Sequence, residues 1–123
     1  MPPITEIRKA VKQWFNTKYQ IIQTSKGRER FVLLLLLETR ELVKIHKSFF
    51  AETIAKNRWN NHLLETIETA KKFEQWMPYA IFIKKEDGKH HPYPFSVYHA
   101  TFNNKNIEFK VKEDGCVYMM RLI

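Results

Sequence analysis

The stretch Phe31-Val32-Leu33-Leu34-Leu35-Leu36-Leu37-Glu38-Thr39-Arg40-Glu41-Leu42-Val43-Lys44-Ile45-His46-Lys47-Ser48-Phe49-Phe50 decides the architecture. Its opening apolar run, Phe31 to Leu37, is too short to cross a bilayer, which takes about 20 residues as a helix. A turn-rich segment, Ser25 to Arg30, precedes the run, so Phe31–Leu37 reads as the second arm of a hairpin whose first arm is Tyr19–Thr24. Thr39 then suits the cap of a new helix, with Glu41 in its first turn. Leu42, Ile45, His46, Phe49, Phe50 and Ile54 recur at helical spacing and predict its buried stripe.

Outward from this centre, Ile4, Ile7, Ala10, Val11, Trp14 and Phe15 predict an N-terminal helix over 3–16, with Pro3 in its first turn. Leu63, Leu64, Ile67, Ala70, Phe73 and Met77 predict a further helix stopped by Pro78. From Tyr79 the period becomes two, and strands are expected at 79–85, 95–102, 107–112 and 116–122. The expected fold is α+β, one domain over 1–123: an N-terminal helix and β-hairpin, then two central helices packed on a mostly antiparallel sheet formed with four C-terminal strands.

The chain has 21 Lys/Arg against 13 Asp/Glu, a net +8 that excludes an acidic mimic of nucleic acid and favours a polyanionic partner. Residues 1–56 carry 11 of the cations and 5 of the acids, so the N-terminal half supplies most of the positive field. A single cysteine, Cys116, excludes a disulfide within the chain. It fits a reducing, cytoplasmic setting as a buried thiol. The segment Met1-Pro2-Pro3-Ile4-Thr5-Glu6 has no apolar signal region, and no membrane partner is expected.

Several polar residues are candidates. His46, between Lys44 and Lys47, suits general-base work; the alternative is a histidine at the core boundary. His99 and Tyr98 lie on a strand whose faces are both mixed, so both are expected to be half-buried. Glu108, Lys110 and Lys112 share the polar face of the next strand, where Arg121 joins them from its neighbour. That face suits a phosphate, or else ordinary cross-strand ion pairs. Lys26-Gly27-Arg28-Glu29-Arg30 is either a phosphate-gripping loop or a charged hairpin tip. His90, His91 and His62 lack metal-ligand spacing, and no metal or cofactor is expected. Trp14 and Trp76 are expected in the core, whereas Trp59 falls in a break and is free to be exposed.

The order of apolar strand, polar break (Glu38-Thr39-Arg40) and Leu42-Val43-Lys44-Ile45-His46-Lys47 recurs in a known family. So does the closing pair Ile107-Glu108-Phe109-Lys110-Val111-Lys112 and Val117-Tyr118-Met119-Met120-Arg121. Together they resemble the phage-borne nuclease domains of the BECR superfamily, the group of barnase, EndoU, colicin and RelE-like RNases. The resemblance implies a toxin-like, metal-independent endoribonuclease that cuts RNA by attack of the ribose 2′-OH on the adjacent phosphate. It implies His46 as base or acid with Lys47 beside it, and Lys110 and Arg121 as the phosphate clamp. His99 or Tyr98 would be the second proton-transfer group, with Arg28, Arg30 and Lys112 further substrate contacts. The partners implied are RNA or another nucleic acid, with a cognate inhibitor or host protein. One departure is Lys44, where such domains usually carry a small residue.

Two other readings compete. Glu108-Phe109-Lys110 with Asp87 upstream matches the Glu-x-Lys of metal-dependent nucleases, but too little chain follows for their core. A non-catalytic basic module that binds nucleic acid through phosphates, or blocks a host protein, fits the same composition.

Overall fold

Ile7, Val11 and Phe15 recur every fourth residue and form the buried face of α1 (Ile4–Lys18), with Glu6 in the first turn and Lys18 in the last, as the macrodipole favours. The computed structural model describes residues 2–19, 22–24, 27–29, 31–87 and 94–123, with 22–24 and 27–29 as backbone only. Among the described residues no helix is long and apolar enough to cross a membrane.

The central stretch departs from expectation in two ways. β1 (Ile22–Thr24) pairs antiparallel with β2 (Gly27–Glu29), inside the segment read as a turn. β3 (Phe31–Leu36) pairs with the segment after it, β4 (Glu41–His46), in the register Phe31↔His46 to Leu36↔Glu41. Residues 41–46 are therefore a strand, and the helix starts only at Lys47. Leu42 and Ile45 share a helical spacing, but Val43 and Ile45 are the buried pair and Leu42 is 62% exposed. Period two and β-branching govern here. The turn closes through the Arg40 amide, which donates to the Leu36 carbonyl at 2.8 Å, with Arg40 at φ 60°.

α2 (Lys47–Asn57) buries Phe49, Phe50, Thr53, Ile54 and Asn57. α3 (Leu63–Lys71) follows, and the single helix expected to Met77 is broken at Lys72 into α3 and a short α4 (Phe73–Trp76) with a 3₁₀ turn at Met77–Tyr79. Then come β5 (Ile81–Asp87), β6 (Pro94–Phe102), β7 (Lys105–Val111) and β8 (Val117–Leu122), a fully antiparallel sheet in chain order. Asn103 and Asn104, at φ 49° and 63°, make the tight β6–β7 turn, and Gly115 at φ 89° serves the β7–β8 turn. The fold is the expected α+β arrangement.

One sheet face is the core face. Tyr98 stands opposite Phe109, and Phe109 opposite Met120. Tyr98 stacks on Phe109 with ring centres 5.2 Å apart, and Trp76 packs on Phe109 at 5.8 Å. The Trp76 indole donates to the Thr69 carbonyl at 2.8 Å, which satisfies its buried N–H. α2 covers the β8 edge by hydrogen bonds. The Asn57 amide donates to the Met120 carbonyl at 3.0 Å, and the Met120 N–H donates to the Thr53 hydroxyl at 3.1 Å. An edge that could recruit another strand is thereby closed. Trp14 packs edge-on against Phe50, while Trp59 is 87% exposed, its ring 4.8 Å from the Arg58 guanidinium. Cys116 is half-buried, and burial pushes its thiol up.

Candidate functional site

Side chains of successive strand residues point to opposite faces, so whatever alternates with Tyr98, Phe109 and Met120 lies on the other face of the sheet. Pairing places Ile81, His99, Glu108 and Arg121 in one row across all four strands. The next row is Lys84, Val97, Lys110 and Met119. Phe95, Val97 and Met119 are buried on this face yet stand outside the main core cluster. Long polar side chains flank them, as Lys84 and Lys110 flank Val97.

Glu108 is the centre of the first row. One carboxylate oxygen meets His99 Nε2 at 2.9 Å, and the other accepts from Arg121 Nε at 3.0 Å and lies 2.8 Å from Arg121 Nη2. Its side chain is 13% exposed against 53% for Arg121. Burial alone would raise the Glu108 carboxyl, but the His99 hydrogen bond and the Arg121 guanidinium outweigh it and hold it below the ordinary carboxylate value. In a neutral imidazole, a carboxylate at Nε2 favours the tautomer protonated there, with Nδ1 as the proton acceptor. In the second row Lys110 pairs with Glu86, and Lys84 lies 3.7 Å from the same carboxylate. The Lys110 contact holds the Glu86 carboxyl down. At the far end Phe95 stacks on Tyr118 at 5.1 Å, and the Lys112 ammonium lies 5.5 Å from the Tyr118 ring centre. Beside His99 a hollow of about 380 Å³ opens between Tyr79, Ile81, Thr101, Asn106 and Ile123.

Of the expected site residues, the structure thus brings together His99, Lys110, Lys112 and Arg121. It does not bring Tyr98 to them: that ring is 1% exposed in the core, and its hydroxyl donates to Glu41 at 3.3 Å. Burial, with the Glu41 and Glu38 carboxylates nearby, pushes the Tyr98 phenol up. His46 is not two turns into a helix. It ends β4, in the other sheet, half-buried with its ring 5.3 Å from that of Phe31. Lys47, the first residue of α2, lies beside Arg8 and Lys12 instead. Arg30, His90 and His91 lie outside the described residues, as does the side chain of Arg28. Among the described residues no three His, Cys, Asp or Glu side chains gather as a metal site requires. Both Glu108 oxygens are engaged by His99 and Arg121, which disfavours the Glu-x-Lys metal reading.

Sequence reasoning missed Glu86 and the Phe95–Tyr118 stack. Strand alternation could have found the shared face, but not the β-bulges between Phe82 and Lys84 and between Lys110 and Val111 that set who meets whom. No family model, no curated protein and no solved structure matches this chain.

Proposed function

We propose that the protein binds single-stranded RNA across the polar face of the β5–β8 sheet. The observation that carries this reading is the gathering of Lys84, Lys110, Lys112, Arg121 and His99 on one face beside the half-buried Tyr118, while α4 and the core lie on the other and α2 covers the β8 edge. Phosphates seek cations, and unstacked bases seek guanidinium planes such as that of Arg121, 53% exposed; the antiparallel sheet sets its cations at regular spacing. The net charge of +8 adds long-range attraction. Anisotropy of labelled oligo(U) tests it. Affinity should fall steeply with salt, and Lys110→Glu and Arg121→Glu should each weaken binding and flatten the log–log salt slope by about 0.7 per lost phosphate contact. Binding that ignores salt, or that survives both changes intact, would count against the reading.

The His99–Glu108 contact of 2.9 Å favours a second reading on the same face, metal-independent cleavage of the bound strand. His99 Nδ1 would take the proton of a ribose 2′-OH as the 2′ oxygen bonds to phosphorus. Arg121 would meet the developing charge, and the departing 5′ oxygen would take a proton from water. The products would be a 2′,3′-cyclic phosphate and a 5′-hydroxyl end. Cleavage in EDTA that is lost in His99→Ala supports this; no cleavage by the wild type, or equal cleavage by the mutant, removes it and leaves the binding role.

A further inference from the structure

On the sheet the cations face carboxylates: Lys110 and Lys84 meet Glu86, and Arg121 meets Glu108. The helical layer is different. A groove of about 270 Å³ opens between α1 and the start of α2. Its floor is Val11, Phe15, Phe50 and Ile54, all buried, and its rim carries Arg8, Lys12 and Lys47, all exposed. Among the described residues no carboxylate lines it. Among the described residues none of these three cations has an ion-pair partner.

We propose that this groove is a binding site for a small phosphate-headed amphiphile, a phosphate monoester carried on a short apolar body. The inference does not rest on the RNA reading, since none of its residues belongs to the sheet. Charge complementarity sets the head. Three like charges held around one hollow repel one another unless an anion sits among them, and a phosphate monoester brings close to two charges and three acceptor oxygens. An arginine on one helix and lysines on both can approach it from two sides. The floor sets the tail: apolar side chains that water would otherwise wet are matched by a hydrocarbon body. The groove is just below the usual size of ligand sites, which run about 300–1,000 Å³, so the body is short.

The test is calorimetric titration of the whole chain with n-octyl phosphate below its micelle concentration, alongside octanol and inorganic phosphate. Octyl phosphate should bind at least about tenfold more tightly than either control. Arg8→Glu and Lys47→Glu should each weaken it by about tenfold or more, the loss of one charge-assisted contact. Ala51→Trp, which fills the groove without changing charge at an exposed position, should abolish it while thermal unfolding stays near wild type. Octyl phosphate no tighter than inorganic phosphate overturns the proposal, because the floor then contributes nothing. So does binding that the three variants leave unchanged, and so does binding seen only with vesicles of anionic phospholipid and not with the monomer.

Discussion

At the scale of single residues, Glu108 is the group on which both readings of the sheet depend, and it pulls them apart. It neutralises Arg121 and so weakens the field on the polar face. It also holds the His99 ring through the 2.9 Å contact to Nε2. Glu108→Gln keeps the size and removes the charge. Oligo(U) should then bind more tightly at low salt, by about threefold, the worth of one exposed charge interaction. Any cleavage should fall, because a neutral amide no longer stabilises the imidazolium formed when His99 takes a proton. Affinity and turnover measured on the same preparation check both; a variant that binds more weakly would argue that Glu108 holds the face together rather than mutes it.

At the scale of elements, the hairpin β3–β4 is where local pattern and tertiary structure disagree. Leu42 and Val43 report the disagreement directly. In a helix Leu42 would be core; in the strand it faces outward with Leu33 and Leu35, while Val43 is 1% exposed. Leu42→Ala should change stability by no more than about 0.5 kcal/mol, whereas Val43→Ala should cost roughly 2 kcal/mol. Urea melts decide between them, and the reverse order would restore the helix. The residues that were legible are those whose signal is local. Ile7, Val11 and Phe15 mark α1, Asn103-Asn104 and Gly115 mark turns, and Glu108-Phe109-Lys110 alternates as a half-covered strand must. The run of leucines carries no period, so its partner could not be read from it. The pairing of β3 with β4 rather than with the segment before it depends on the Leu36–Arg40 turn and on what Val43 and Ile45 bury against. The candidate site followed the same rule. Lys110, Lys112 and Arg121 were readable as one face, but the contact of His99 with Glu108 needed the β6–β7 register. The placing of Lys47 on the same groove as Arg8 and Lys12 needed the packing of α1 on α2, which no local pattern encodes.

At the scale of the whole molecule, the charge of the sheet face is held partly in check by Glu86 and Glu108, and pH can release it. Both carboxyls sit below the ordinary value of 4.5, Glu86 through Lys110 and Glu108 through His99 and Arg121 against its burial. A carboxyl whose folded value is depressed contributes stability that is fully present above its unfolded value. That contribution is lost as pH falls through the folded value. These two groups therefore leave stability unchanged from neutral pH down to about 5 and erode it below 4.5. RNA binding should move the other way in the same window. Each protonation removes a negative charge from beside Lys110 or Arg121, while the phosphates of the RNA stay ionised and draw protons onto the two carboxyls. Below about pH 4.5 binding of oligo(U) should thus tighten and take up protons even as the urea midpoint drops. Titration calorimetry in two buffers of different ionisation heat measures the uptake. An affinity that declines together with stability, with no proton taken up, would mean that the RNA meets some other surface.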